Sequence, residues 1–90
     1  MYHQRVAIVR LRGQLEKVAG VSEHRAAGDT VSELLQALER EQTALEGWIL
    51  DERGQIRQHI NVFVNGDQAQ ADSAVSEEDK IEILPAISGG

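Results

Sequence analysis

Apolar residues fall along this chain in two rhythms, one near a period of two and one near 3.6. The opening Val6-Ala7-Ile8-Val9-Arg10-Leu11 is rich in β-branched side chains and closes at Arg12-Gly13, which predicts a first strand. Residues 22–27 carry a weaker strand signal that Gly28 stops, and residues 15–20 between them read as a loop or strand edge. The rhythm then changes. Val31, Leu34, Leu35 and Leu38 stand at i, i+3, i+4 and i+7, which predicts an amphipathic helix over residues 31–42 with one buried face. Thr30-Val31-Ser32-Glu33 fits a capping box, in which the Thr hydroxyl and the Glu carboxylate each take the other's backbone N–H. Asp29 adds negative charge where the helix dipole favours it.

Gly47 breaks the helical pattern, Trp48-Ile49-Leu50 is a short apolar run, and Asp51-Glu52-Arg53-Gly54 reads as a turn. Residues 59–64 form a third strand, closed by Asn65-Gly66, the pair preferred in a type I′ turn. Residues 66–79 are polar and loop-like. Residues 80–84 are the last strand, which Pro85 ends by withholding a ladder donor. Strand alternation puts Ile60, Val62 and Val64 on one face with Asn61 and Phe63 on the other, and turns Ile81 and Ile83 inward with Glu82 and Leu84 outward. If Ala7, Val9 and Leu11 face the core, Ile8 points out.

The order β, β, α, β, β, with one main helix across one face of a small mixed sheet of four to five strands, is an α+β domain. A chain of 90 residues holds one core of this kind. The domain is expected over residues 1–85, with residues 86–90 as a flexible tail.

Charge refines this picture. The net charge is −6, with six Lys+Arg against six Asp+Glu in residues 1–45 and three against nine in residues 46–90. An acidic C-terminal half argues against nucleic acid and anionic membranes as partners, and for a basic protein. No run approaches the ~20 apolar residues of a membrane span, and the four apolar residues 6–9 are too few for a signal-peptide core, so a cytoplasmic protein is expected.

The usual catalytic constellations are missing. Without cysteine there is no disulfide, thiolate zinc site, cysteine-ligated iron–sulfur cluster or cysteine nucleophile. His3, His24 and His59 have no metal-like spacing, and the serines lie in no nucleophile elbow. The glycines before the terminus form no phosphate loop, and Glu77-Glu78-Asp79 reads as a solvated turn. Asp72-Ser73-Ala74 invites comparison with the cofactor-bearing serine of acyl carrier proteins, but a strand follows it where those proteins place a helix.

The sequence ends in Gly89-Gly90, a pair that ~7% glycine usage produces by chance about 0.5% of the time. Without Cβ atoms such a tail is thin enough to thread a narrow channel, and its carboxylate becomes electrophilic once ATP converts it to an acyl-adenylate. A flexible, functionless terminus is the alternative.

Asn61-Val62-Phe63-Val64-Asn65-Gly66, together with Leu84-Pro85-Ala86-Ile87-Ser88-Gly89-Gly90, resembles the MoaD/ThiS family of ubiquitin-like sulfur carrier proteins. Gly28-Asp29-Thr30-Val31 and Leu50-Asp51-Glu52-Arg53-Gly54 fit the same family, and the resemblance runs from Val6 to Gly90. It departs in the loop at residues 12–20, in a shorter and more polar stretch at residues 67–72, and at Glu78-Asp79, where relatives commonly carry Gly-Asp.

The resemblance implies a ubiquitin-like β-grasp fold whose last strand lies between the first and third. It implies that a ubiquitin-activating-type adenylyltransferase uses ATP to adenylate Gly90, with Ser88 and Gly89 threading its channel. A sulfurtransferase or cysteine desulfurase then supplies sulfur, giving a thiocarboxylate that a downstream biosynthetic enzyme consumes. The carrier itself catalyses nothing and binds no cofactor. Phe63, Leu84 and Ile8 would line an apolar docking face beside the tail, with Ile87 extending it. Two alternatives stay open: a ubiquitin-like modifier joined through Gly90 to target lysines, and a non-covalent module using the sheet face.

Overall fold

The computed structural model describes residues 6–86. Five strands make one sheet: β1 (Val6–Leu11), β2 (Glu23–Ala27), β3 (Ile60–Val64), β4 (Asp67–Gln68) and β5 (Lys80–Pro85). Their spatial order is β2-β1-β5-β3-β4, with β1 and β5 parallel and the other pairs antiparallel. The last strand therefore sits in the middle, between the first and third. The long helix α2 (Val31–Glu41) crosses one face, and a shorter helix α1 (Gln14–Ala19) follows β1. A mixed sheet gripped around one crossing helix is the ubiquitin-like β-grasp.

Alternation assigns the faces as the sequence predicts. Ala7, Val9 and Leu11 of β1 and Ile81 and Ile83 of β5 are completely buried, and Ile60 and Val62 of β3 lie beside them. Val31, Leu34, Leu35 and Leu38 of α2 close over this layer. The period-two and period-3.6 patterns thus meet in one core, whose burial drives the fold.

Two elements differ from the sequence expectation. Residues 14–19 are helical, not loop. Leu15, Val18 and Ala19 stand at i, i+3, i+4 and dock on the core, and Gly20 ends the helix in the left-handed region at φ 83°, its N–H bonding the Glu16 carbonyl. Within the polar stretch, Asn65 and Gly66 adopt φ 52° and 90°, the predicted primed turn, and carry the chain back as the two-residue strand β4.

The start of α2 also departs from the reciprocal box. Thr30 caps Glu33 N–H at 3.2 Å as expected, but the Glu33 carboxylate accepts from Asp29 N–H at 2.9 Å. A loop from far along the chain also reaches this helix start. Carbonyls of Ser73 and Ala71 accept from Val31 N–H at 3.0 Å and Ser32 N–H at 2.9 Å, and Val75 N–H bonds back to Asp29. The helix's unpaired first donors are thereby met by a tertiary contact, and Val75 is drawn completely into the core.

Candidate functional site

Among the described residues no helix covers the face of the sheet turned away from α2. Strand parity brings to it Ile8 and Arg10 from β1, Glu82 and Leu84 from β5, and Phe63 from β3. Register fixes their neighbours. Phe63 lies opposite Glu82 on one side and Gln68 on the other, while Leu84 lies opposite Asn61. Phe63 and Leu84 are therefore diagonal cross-strand neighbours, close enough for an aromatic side chain to reach. Both are half-buried. Ile8 lies opposite Lys80, four residues along β5 from Leu84, so register separates it from the Phe63–Leu84 pair by about 13 Å.

Charged side chains occupy the ground between these apolar positions. Arg10 pairs with Glu23 across β1 and β2 at 3.0 Å. Arg12 places Nε and Nη2 on one carboxylate oxygen of Glu82, at 3.1 and 2.9 Å. All four side chains are well exposed, so each pair contributes under about 1 kcal/mol and acts chiefly to shape the surface. A cleft of about 540 Å³ opens on this face, lined by Ile8, Arg10, Arg12, Lys80, Asn65 and Gly66 among others.

The face therefore differs from the chain average. Its positions on β1, β2 and β5, with Arg12, carry Arg10, Arg12, Arg25 and Lys80 against Glu23 and Glu82, a local balance of +2 in a chain of net −6. The whole-chain charge pointed to a basic partner, but the acidic excess lies elsewhere, much of it in residues 46–52 and 67–79.

The root of the tail is anchored at the edge of this face. Pro85 pairs with Ile60 at the end of β5, and Ala86 N–H bonds the His59 carbonyl at 2.5 Å. Gly13, at φ 58°, stands against the Pro85 ring, where a Cβ would come within 3.4 Å of Cγ. The pairing with Ile60 and the bond to His59 thus fix residues 85 and 86 at the end of β5. Ile87, Ser88, Gly89 and Gly90 lie outside the described residues.

The remaining sequence candidates have structural roles. Ser73 Oγ accepts from Gln70 N–H at 2.9 Å within the loop that caps α2, not at a helix start. Asp51 closes its predicted turn by accepting from the N–H groups of Arg53 and Gln55 at 2.9 and 3.0 Å. The backbone donor of Gln55 is the main cause that holds the Asp51 carboxyl below its ordinary value. Among the described residues no cluster of three or more His, Asp or Glu is placed to hold a metal, and no helix is long and apolar enough to cross a membrane.

What sequence reasoning missed here is the ion-paired belt. Arg10, Arg12, Glu23 and Glu82 come from different parts of the chain, and only the register of three strands aligns them. The outward parity of Arg10 in a strand of buried partners was the one available signal.

Comparison with known proteins gives a consistent result. The model of the ThiS family matches residues 9–90. Small archaeal modifier protein 1 of Haloferax volcanii is 34% identical over 84 residues, spanning 90% of this chain and 97% of the relative. Its crystal structure superposes with a TM-score of 0.86 at 33% identity, covering 94% of this chain and 99% of that one. Sulfur carrier protein CysO of Mycobacterium tuberculosis is 27% identical over 71 residues, 72% of this chain and 76% of the relative. A chain in the crystal structure of the Amycolatopsis orientalis BexX/CysO complex matches with a TM-score of 0.80 at 26% identity, covering 93% of this chain and 99% of that one.

Proposed function

This chain belongs to the ThiS family of small ubiquitin-like sulfur carriers and modifiers, and on that premise we propose that it is a sulfur carrier acting through the carboxylate of Gly90. The carboxylate attacks the α-phosphorus of ATP in the site of a ubiquitin-activating-type adenylyltransferase, and pyrophosphate leaves. The outer sulfur of a persulfide carried by a sulfurtransferase or cysteine desulfurase then displaces AMP from the acyl carbon, and a thiol reductant cleaves the acyl disulfide so formed, leaving the sulfur on Gly90 and a disulfide on the donor side. The product is a thiocarboxylate whose sulfur a downstream biosynthetic enzyme takes up. ATP is consumed by the activating enzyme, and this chain supplies the electrophile and the handle but catalyses none of the steps. The cytoplasm, where ATP and reduced sulfur are available, is the compartment this requires.

The observation that carries the proposal is the placement of the tail root. The central strand of the sheet delivers Pro85 and Ala86 to the rim of the open face, held by the pairing of Pro85 with Ile60 and the bond of Ala86 N–H to His59. A tail starting from a fixed point beside a docking surface reaches an active site at a fixed distance, which lowers the entropy cost of threading. Phe63 and Leu84 are the apolar contacts nearest that root, and Ser88 and Gly89 are the thin residues ahead of the reacting carboxylate.

The test is incubation with the host's activating enzyme, ATP and a sulfur source. The full chain should gain sulfur in its C-terminal peptide, a chain lacking Gly90 should gain none, and Phe63→Asp should react more slowly while staying folded. Sulfur transfer to the chain lacking Gly90 would contradict the proposal. A modifier role is favoured by a different observation, the name and 34% identity of the archaeal relative. A branched peptide joining Gly90 to a lysine of another protein would establish it.

A further inference from the structure

We propose that the row Arg25–Ile8–Lys80 on the open sheet face receives an acidic segment of the activating enzyme, with an apolar side chain seated on Ile8 between two carboxylates. This rests on the reading of that face as the enzyme's docking surface, and adds the chemistry of the partner to it. Register puts the three residues in line: Ile8 of β1 lies opposite Arg25 of β2 and opposite Lys80 of β5. Two strand spacings separate the two cations, about 10 Å between their backbones. An extended segment crossing the strands would present carboxylates to both while its middle side chain meets Ile8.

Arg25 and Lys80 differ from the other cations of the face. Arg10 and Arg12 are neutralised by Glu23 and Glu82. Arg25 and Lys80 are exposed, and neither has an ion-pair partner among the described residues. The carboxylate nearest Lys80 in sequence, Asp79, is engaged by Asn65 Nδ2 at 3.0 Å and Ser76 N–H at 2.7 Å. Two cations without an ion-pair partner among the described residues thus flank one apolar residue, and Ile8 and Lys80 of this row line the 540 Å³ cleft.

Charge elsewhere sharpens the selection. With +2 on the face and −6 over the chain, the remainder carries −8. An acidic segment is repelled by most of this protein and attracted at this row, which steers it to one orientation. The row lies about 16 Å along β5 from Pro85, so a partner held there leaves the tail root clear. A basic segment would be drawn instead to the acidic loop of residues 67–79.

The experiment compares two double charge reversals as substrates of the host's activating enzyme, read by ATP–pyrophosphate exchange. Arg25→Glu/Lys80→Glu alters the row. Arg40→Glu/Arg53→Glu makes the same change in net charge at exposed positions on α2 and the 51–54 turn. The row pair should raise KM for the carrier about tenfold or more with kcat unchanged, and the effect should shrink in high salt; the control pair should stay within about twofold. Circular dichroism checks folding, and Arg25→Ala/Lys80→Ala serves if the reversal unfolds the chain, with KM raised about threefold. A row pair within twofold of wild type, or a control pair with an equal effect, overturns the proposal while leaving the carrier reading intact. Failure of the wild-type chain to be adenylated overturns the carrier reading itself, and the named partner with it.

Discussion

One carboxylate holds the segment that follows α2, and its removal has a calculable consequence. Glu39 Oε2 accepts from Leu50 N–H at 2.8 Å and Ile49 N–H at 3.1 Å, and Oε1 accepts from Gly47 N–H at 3.3 Å. These bonds seat Ile49, fully buried, and Leu50, 4% exposed, in the core. Glu39→Ala leaves all three donors without their acceptor. The donor of Gly47 is exposed and water replaces the carboxylate there. The other two are partly buried, and each unmet donor costs about 1–3 kcal/mol. Alanine returns at most about 0.5 kcal/mol through its higher helix propensity. With both donors left unmet and that gain set against them, the net loss is about 1.5–5.5 kcal/mol, with about 3 kcal/mol as the working value. For a domain of this size that lowers the melting temperature by roughly 10–25 °C. Urea unfolding measures it directly: the midpoint should fall with the slope unchanged. Amide exchange at Ile49 and Leu50 should accelerate beyond the global change. Glu39→Gln keeps one carbonyl oxygen for the two buried donors and should lose about 1 kcal/mol. A Glu39→Ala midpoint within about 0.5 kcal/mol of wild type would refute the assignment of Glu39 as the loop's anchor.

Three further outcomes are expected. Gly28→Ala places a Cβ 2.5 Å from Leu34 N and 2.9 Å from Leu34 Cα, backbone that cannot swing aside, so thermal unfolding should show a loss of about 3 kcal/mol; an unchanged midpoint would mean that the link between β2 and α2 has slack. Glu78 sits at φ 67°, where a side chain costs roughly 1–2 kcal/mol, so Glu78→Gly should stabilise by up to about 1 kcal/mol after the greater freedom of the unfolded chain is set against it, and a lower urea midpoint would contradict this. Asp51 has a folded pKa lowered from 3.8, so its contribution is fully present above that value and is lost as pH falls through the lowered one. The gap in stability between wild type and Asp51→Ala should therefore narrow only below about pH 4, and a gap that closes near neutrality would point to another group.

The parts of this fold legible in the sequence are those specified by local pattern. Val31, Leu34, Leu35 and Leu38 announce α2, and strict alternation around Val62, Ile81 and Ile83 assigns the sheet faces correctly. Asn65-Gly66 gives its turn because only a few residue types tolerate positive φ at both positions. The parts not legible depend on contacts distant in sequence. At six residues α1 is too short for its period to stand out, and Gly13 and Gly20, which bound it, read as loop signals. The Glu33 carboxylate takes Asp29 N–H, and a loop some forty residues on satisfies the donors of Val31 and Ser32, a contact that no local pattern states. The candidate site divides the same way. Phe63 and Leu84 follow from parity alone, but the place of Ile8 beside Lys80, and the pairing of Arg12 with Glu82, depend on how far parallel β1 and β5 are slid against each other. Nothing in either segment states that register.

The central claim concerns one atom of Gly90, and the mass of the C-terminal peptide from protein isolated from its native host tests it most directly. The measurement must localise the change, because oxidation of Met1 or Trp48 alters the intact mass almost identically. The account predicts a sulfur-for-oxygen gain at Gly90 that a thiol-directed alkylating reagent captures. A plain carboxylate that stays plain after incubation with the host's activating enzyme, ATP and a sulfur source would contradict it.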